Sequence, residues 1–146
     1  MTAPAGLNTA GMRLHHIGCA VRDMAAALGY YTQSLGLKQT TEPIEVASQK
    51  VRVCFLDLGP GIYLELVEGL EPGSPVDRIV SQTGGGVYHL CFEVENLDAA
   101  IERLRGEGFF RLKRFEMPAH GMRRFAFMLT PDRQLFELCE ADKSGA

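Results

Sequence analysis

No stretch of this chain stays apolar for the roughly 20 residues that a membrane-spanning helix needs, so no bilayer-crossing helix is expected. The opening residues, MTAPAGLNTAGM, lack a basic start and a continuous apolar core, and residues 1–12 read as a loose tail rather than a secretory signal. An excess of one charge is also missing. Fifteen Lys and Arg face 18 Asp and Glu, a net charge of −3, which removes the general attraction that nucleic-acid binding rests on. The local basic run Arg111, Lys113 and Arg114 reads as a solvated strand face. Finally, no two cysteines form a CxxC pair. Cys19, Cys54, Cys91 and Cys139 each lie within an apolar run, which excludes a disulfide framework or zinc knuckle and points to buried, reduced thiols in a cytoplasmic protein.

What the chain has is a core and a repeat. Apolar residues make up 46% of its 146 positions, enough for one domain or two small modules sharing a core. Placing His16-Ile17-Gly18-Cys19-Ala20-Val21 over His89-Leu90-Cys91-Phe92-Glu93-Val94 gives an offset of 73 (89 − 16). At the same offset Asp23 meets Asn96, and Ala26-Ala27-Leu28 meets Ala99-Ala100-Ile101. One deletion later the offset is 72: Arg52-Val53-Cys54-Phe55-Leu56 meets Arg124-Phe125-Ala126-Phe127-Met128, and Leu64-Glu65-Leu66-Val67-Glu68 meets Phe136-Glu137-Leu138-Cys139-Glu140. Such self-similarity marks a duplicated supersecondary unit.

Each copy reads as strand, helix and three strands, so the expected fold is α+β: two tandem βαβββ modules, 14–68 and 87–140, inside one domain at 13–140. In the first copy a strand at 14–21 precedes a helix capped by Asp23, with Met24, Ala27, Leu28, Tyr31 and Leu35 on its apolar face and Gly36 at its end. Strands follow near 37–43, 50–58 and 62–68, the last two joined through Gly59-Pro60-Gly61. In the second copy Asn96 caps a helix bearing Leu97, Ala100, Ile101 and Leu104, followed by strands near 109–115, 122–129 and 134–140. The linker 69–86 holds Ser74 as a helix cap, Pro75 at the first helical position, a short helix to Gln82 and the hinge Gly84-Gly85-Gly86. Residues 141–146 form a tail.

Strand parity then sorts the polar residues. Ile17, Cys19 and Val21 share one face and His16 takes the other. Leu64 and Leu66 oppose Glu65. Leu90, Phe92 and Val94 oppose His89, while Phe136 and Leu138 oppose Glu137. A carboxylate amid large apolar residues is costly to desolvate unless it is paired or bound to a cation. If the copies pack about a two-fold axis, His16, Glu65, His89 and Glu137 face one cavity. Two imidazoles and two carboxylates suit Zn, Ni, Co, Mn or Fe. Val53, Phe55, Phe125 and Phe127 lie on the neighbouring strands as core or pocket-lining residues.

The segments HHIGCAV, YLELVE, SPVDRIV, YHLCFEVENLDAAIERL, PAHG and LFELCE, in that order, resemble the vicinal-oxygen-chelate superfamily, which comprises glyoxalases, bleomycin-resistance proteins and extradiol dioxygenases. The likeness covers 14–140 and is strongest toward methylmalonyl-CoA epimerases and lactoylglutathione-lyase-like proteins. The resemblance implies a U-shaped sheet around one divalent metal (Co, Ni, Zn, Mn or Mg), held by His16, Glu65, His89 and Glu137, usually in a homodimer. It implies an enzyme, an isomerase that moves an α-proton through a metal-chelated enediolate on an acyl-CoA or related thioester. Glu137 would be ligand and base, with Glu65 as its symmetry mate. Gly121 and His120, in PAHG, and Phe55 and Phe127 would contact substrate. Two departures stand out: Val53 replaces a glutamate that some epimerases carry there, and LTPDRQ replaces a common His-Pro-Lys segment. Alternatives within the family are glyoxalase I (lactoylglutathione lyase) and a non-catalytic small-molecule binding protein.

Overall fold

Asp23 and Asn96 start helices at equivalent places in the two halves, and each does so in the same way. In the computed structural model, which describes residues 7–116 and 122–141, the Asp23 carboxylate accepts from the Ala26 N–H at 3.1 Å and the Asn96 side-chain oxygen from the Ala99 N–H at 2.9 Å. Both satisfy a backbone donor that the first helical turn leaves open. The described residues divide into two units, 16–88 on the one hand, and 7–15 with 89–116 and 122–141 on the other.

β1 (Arg13–Ala20), whose residues 16–20 belong to the first unit, leads into α1 (Met24–Gly29), then β2 (Lys38–Gln39), β3 (Ile44–Val46), β4 (Val51–Gly59) and β5 (Ile62–Gly69). β4 pairs antiparallel with β2, β3 and β5, and β5 pairs parallel with β1, so the first and last strands of the module are neighbours. Cys19, Val21, Met24, Ala27, Cys54, Leu56, Leu64 and Leu66 form the apolar core between this sheet and α1, with Cys19, Val21, Leu64 and Leu66 on the face that parity assigned to them. Leu35 is the exception at 63% exposed. Tyr30–Ser34 winds as a π turn in which the Leu35 N–H donates to the Tyr30 carbonyl. The extra residue per turn rotates Leu35 off the buried face, and Leu37 packs against the core in its stead.

In the linker, α2 (Asp77–Thr83) begins later than Ser74-Pro75 indicated. Ser74 does not cap it. Its hydroxyl is buried beside Gly69, where a Cβ would lie 2.2 Å from the oxygen. Gly84 ends α2 in the left-handed conformation. Gly85, at φ 106°, lies against the Ala20 carbonyl, which a Cβ would approach to 2.5 Å.

The second unit holds β6 (Gly86–Val94) from His89 onward, paired from Cys91, then α3 (Leu97–Gly106), β7 (Phe110–Glu116), β8 (Met122–Leu129) and β9 (Leu135–Ala141). Its sheet repeats the order of the first: β7 and β9 flank β8 antiparallel, and β9 pairs parallel with β6. Val94, Leu97, Ile101, Leu104, Ala126, Met128 and Leu138 form the core, with Phe92 and Phe136 against it. Burying one such large side chain contributes about 1.5–3 kcal/mol. Leu90, expected with them, is 42% exposed, because the core ends at Phe92 on this strand. Met12, read as the end of a loose tail, is buried in this same core. The Asn8 side chain holds the turn before it by accepting from the Ala10 and Met12 N–H groups. No helix among the described residues is long and apolar enough to cross a membrane.

Candidate metal centre

Each unit presents one buried histidine beside one buried glutamate. In the first, Gly18 of β1 registers with Glu65 of β5. His16, two residues earlier on the same face, reaches diagonally across, its Nε2 3.5 Å from the Glu65 Oε1. In the second, Cys91 of β6 registers with Glu137 of β9, and the His89 Nε2 lies 3.3 Å from the Glu137 Oε1. The glutamates are 7% and 4% exposed and the histidines 0% and 4%. The repeat thus extends from sequence to register and to side-chain geometry.

The spacing within each pair carries chemical information. A charge-assisted N–H···O hydrogen bond settles at about 2.7–2.9 Å. Two ligands about 2.05 Å from one ion at a tetrahedral angle stand about 3.4 Å apart. The observed 3.5 and 3.3 Å match the ligand spacing, so the donor sets fit a divalent cation.

The aromatic neighbours repeat as well. Phe55 registers with Glu65 and meets His16 edge-on, ring centroids 5.7 Å apart; Phe127 registers with Glu137 and meets His89 edge-on at 5.8 Å. Phe55, Val53 and Phe125 are buried, and Phe55 and Phe127 each pack edge-on against an imidazole. His120 and Gly121 lie outside the described residues.

All four cysteines are buried thiols. Burial pushes the Cys19 and Cys54 thiols up from their ordinary range, the Cys19 shift being partly offset by a contact with the Tyr31 hydroxyl. Sequence reasoning missed the company that the other two keep: His15, Cys91 and Cys139 place their ligating atoms within 4.8 Å of one another. Parity was the available signal, since Cys91 follows His89, and Cys139 follows Glu137, by two residues.

Residues 15–127 match the family profile of the Glyoxalase/Bleomycin resistance protein/Dioxygenase superfamily. The chain is 36% identical over 97 residues to the ethylmalonyl-CoA/methylmalonyl-CoA epimerase of Cereibacter sphaeroides, covering 66% of this chain and 71% of that one. It is 30% identical over 142 residues to the lactoylglutathione lyase of Salmonella typhimurium, covering 92% and 96%. Among solved structures, a methylmalonyl-CoA epimerase in complex with methylmalonyl-CoA and NH4+ superposes with a TM-score of 0.79 at 26% identity, over 90% of this chain and 96% of that one. The duplicated α+β modules and the profile match agree: the chain belongs to the glyoxalase/bleomycin resistance protein/dioxygenase superfamily.

Proposed function

We propose that His16, Glu65, His89 and Glu137 jointly hold one divalent cation and that the protein is a metal-dependent epimerase acting at the α-carbon of an acyl-CoA thioester such as methylmalonyl-CoA. The observation that carries this reading is the twice-repeated buried His–Glu pair with the N···O spacing of metal ligands. The names of its relatives, epimerases that act on CoA thioesters, supply the substrate class.

A divalent ion bound there supplies Lewis acidity, which makes a carbon beside a carbonyl more acidic. The residues do the rest. Glu137 breaks the α C–H bond by taking its proton while the electron pair moves into the carbonyl. Glu65, its counterpart, begins with the proton that it returns to the opposite face, so one stereoisomer becomes the other with no net change in atoms, and proton exchange with solvent restores both carboxyl groups. Phe55 and Phe127, locked against the imidazoles, keep both pairs in place and border the substrate with His120 and Gly121. The same reading includes a homodimer in the cytoplasm; sedimentation at micromolar concentration showing only monomer would contradict the dimer.

The Salmonella lactoylglutathione lyase, matched over nearly its whole length, favours a second reading in which the thiol carrier is glutathione and the proton moves between adjacent carbons. Metal analysis of the purified protein, coupled to deuterium exchange at the α-carbon, separates the two. Stoichiometric metal with exchange on methylmalonyl-CoA supports the epimerase. Exchange on a glutathione hemithioacetal alone supports the lyase. Metal-replete protein that exchanges neither substrate overturns both and leaves a binding protein.

A further inference from the structure

We infer a second metal site in the second unit, a zinc site made by His15, Cys91 and Cys139, separate from the four-residue centre and independent of the epimerase reading. The ligating atoms of the three residues lie within 4.8 Å of one another, and the residues are 2%, 0% and 0% exposed. Two thiols and an imidazole are a soft donor set that selects thiophilic metals over the oxygen-seeking Mg, Ca and Mn. For Zn–S near 2.3 Å and Zn–N near 2.05 Å, ligands about one ion stand roughly 3.5–4 Å apart, which small side-chain rotations reach from the spacing observed.

The register argues against the other chemistry open to two cysteines. Cys91 registers with Glu137, and Cys139 lies two residues further along the neighbouring parallel strand. Strands about 4.8 Å apart with about 3.3 Å per residue put the two Cα atoms roughly 8 Å apart. A disulfide needs them within about 7 Å. An ion between the sulfurs spans the gap that an S–S bond does not.

Charge favours a divalent thiophilic ion, zinc among them. Two thiolates, a neutral imidazole and a divalent ion sum to zero, the condition under which such a group is least costly to bury. Glu93, which registers with Cys139, is already neutralised by Arg13 at 2.8 Å. Binding therefore releases the two thiol protons to solvent and leaves no net charge in the sheet. Cys2His fills three tetrahedral positions and leaves the fourth to a small exogenous ligand.

Cobalt(II) tests this, because it takes the same donors as zinc and reports sulfur ligation through thiolate-to-metal charge-transfer absorption, which a two-His, two-Glu site cannot produce. The full chain, purified reduced and metal-free, is titrated with cobalt alone. The expected result is a near-ultraviolet charge-transfer band that saturates at one equivalent beyond any nitrogen–oxygen site, is displaced by zinc, persists in His16→Ala and is lost in Cys139→Ser. A folded wild-type protein that binds cobalt without that band overturns the inference, whatever the fate of the variants. Loss of the band in His16→Ala, with Cys139→Ser retaining it, overturns it as well.

Discussion

Replacing Glu140 with alanine should destabilise the fold out of proportion to a surface charge, because one carboxylate ties three elements together. Glu140, on β9, accepts from the Leu97 N–H at the start of α3 at 2.7 Å and pairs with the Arg124 Nη2 of β8 at 3.1 Å. Its side chain is only 13% exposed. A hydrogen bond to a charged group contributes about 1.5–3 kcal/mol when intact, and that figure already contains the attraction of a carboxylate to a helix N-terminus. The partly exposed arginine pair adds about 0.2–1 kcal/mol, for an expected loss of about 2–4 kcal/mol. In a chain of this size about 1 kcal/mol shifts Tm by roughly 3 °C, so thermal unfolding should drop by about 6–12 °C. Glu140→Gln keeps a neutral acceptor for Leu97 and should fall between the two. The first unit repeats the device, with Glu68 accepting from the Met24 N–H at 2.8 Å and pairing with Arg52 at 2.7 Å, so Glu68→Ala should fall in the same direction. A Glu140→Ala protein melting within about 1 °C of wild type, less than about 0.5 kcal/mol, would show that this carboxylate does not hold the three elements together.

Further outcomes follow from other sites. Gly85→Ala should cost about 1–3 kcal/mol or more in chemical denaturation, since it adds a left-handed strain to a Cβ clash with the Ala20 carbonyl; a neutral result would show that this loop relaxes. His16→Ala and His89→Ala should each remove the metal of the His–Glu centre while leaving a folded chain, read by metal analysis and circular dichroism; full metal retention in both would discard the ligand assignment. Burial first, and the contact with Cys19 second, raise the Tyr31 hydroxyl to about 12 from its ordinary 10. Because the folded state then holds its proton more tightly than the unfolded chain, that stability is present below pH 10 and is lost as pH rises toward 12. Tyr31→Phe should flatten the alkaline part of the stability profile, and an unchanged profile would show that Tyr31 does not contribute to it.

Much of this was legible in the sequence because the physics involved is local or periodic. The caps at Asp23 and Asn96 and the alternation that sends Leu64 and Leu66 to the core and Glu65 away follow from short-range rules, and the match of Glu65 with Glu137 follows from the repeat. What escaped depends on long-range packing. Leu35 keeps helical spacing in sequence, but the π turn before it breaks the phase. Ser74-Pro75 has the composition of a helix start, yet the Ser74 hydroxyl is buried next to Gly69. Met12 follows an unremarkable tail and finds an apolar partner only in the core around Leu97 and Leu138. The roles of Glu68 and Glu140 depend on a strand returning beside the helix start of its own module, which parallel pairing of first and last strands creates and no local pattern announces. At the candidate site parity aligned His16 with Glu65 and His89 with Glu137, but it could not show the 3.5 and 3.3 Å spacings that argue for an ion.

In the proposed reaction Glu137 takes a proton from a substrate α-carbon in a metal-loaded site. The rate of α-deuterium incorporation into methylmalonyl-CoA by metal-replete Glu137→Gln, set beside wild type and Glu65→Gln, tests it most directly. Glu137→Gln should lose about two to four orders of magnitude while retaining bound metal, and Glu65→Gln should lose less. Exchange by Glu137→Gln at the wild-type rate, with metal bound and the Glu65→Gln protein inactive, would contradict the assignment.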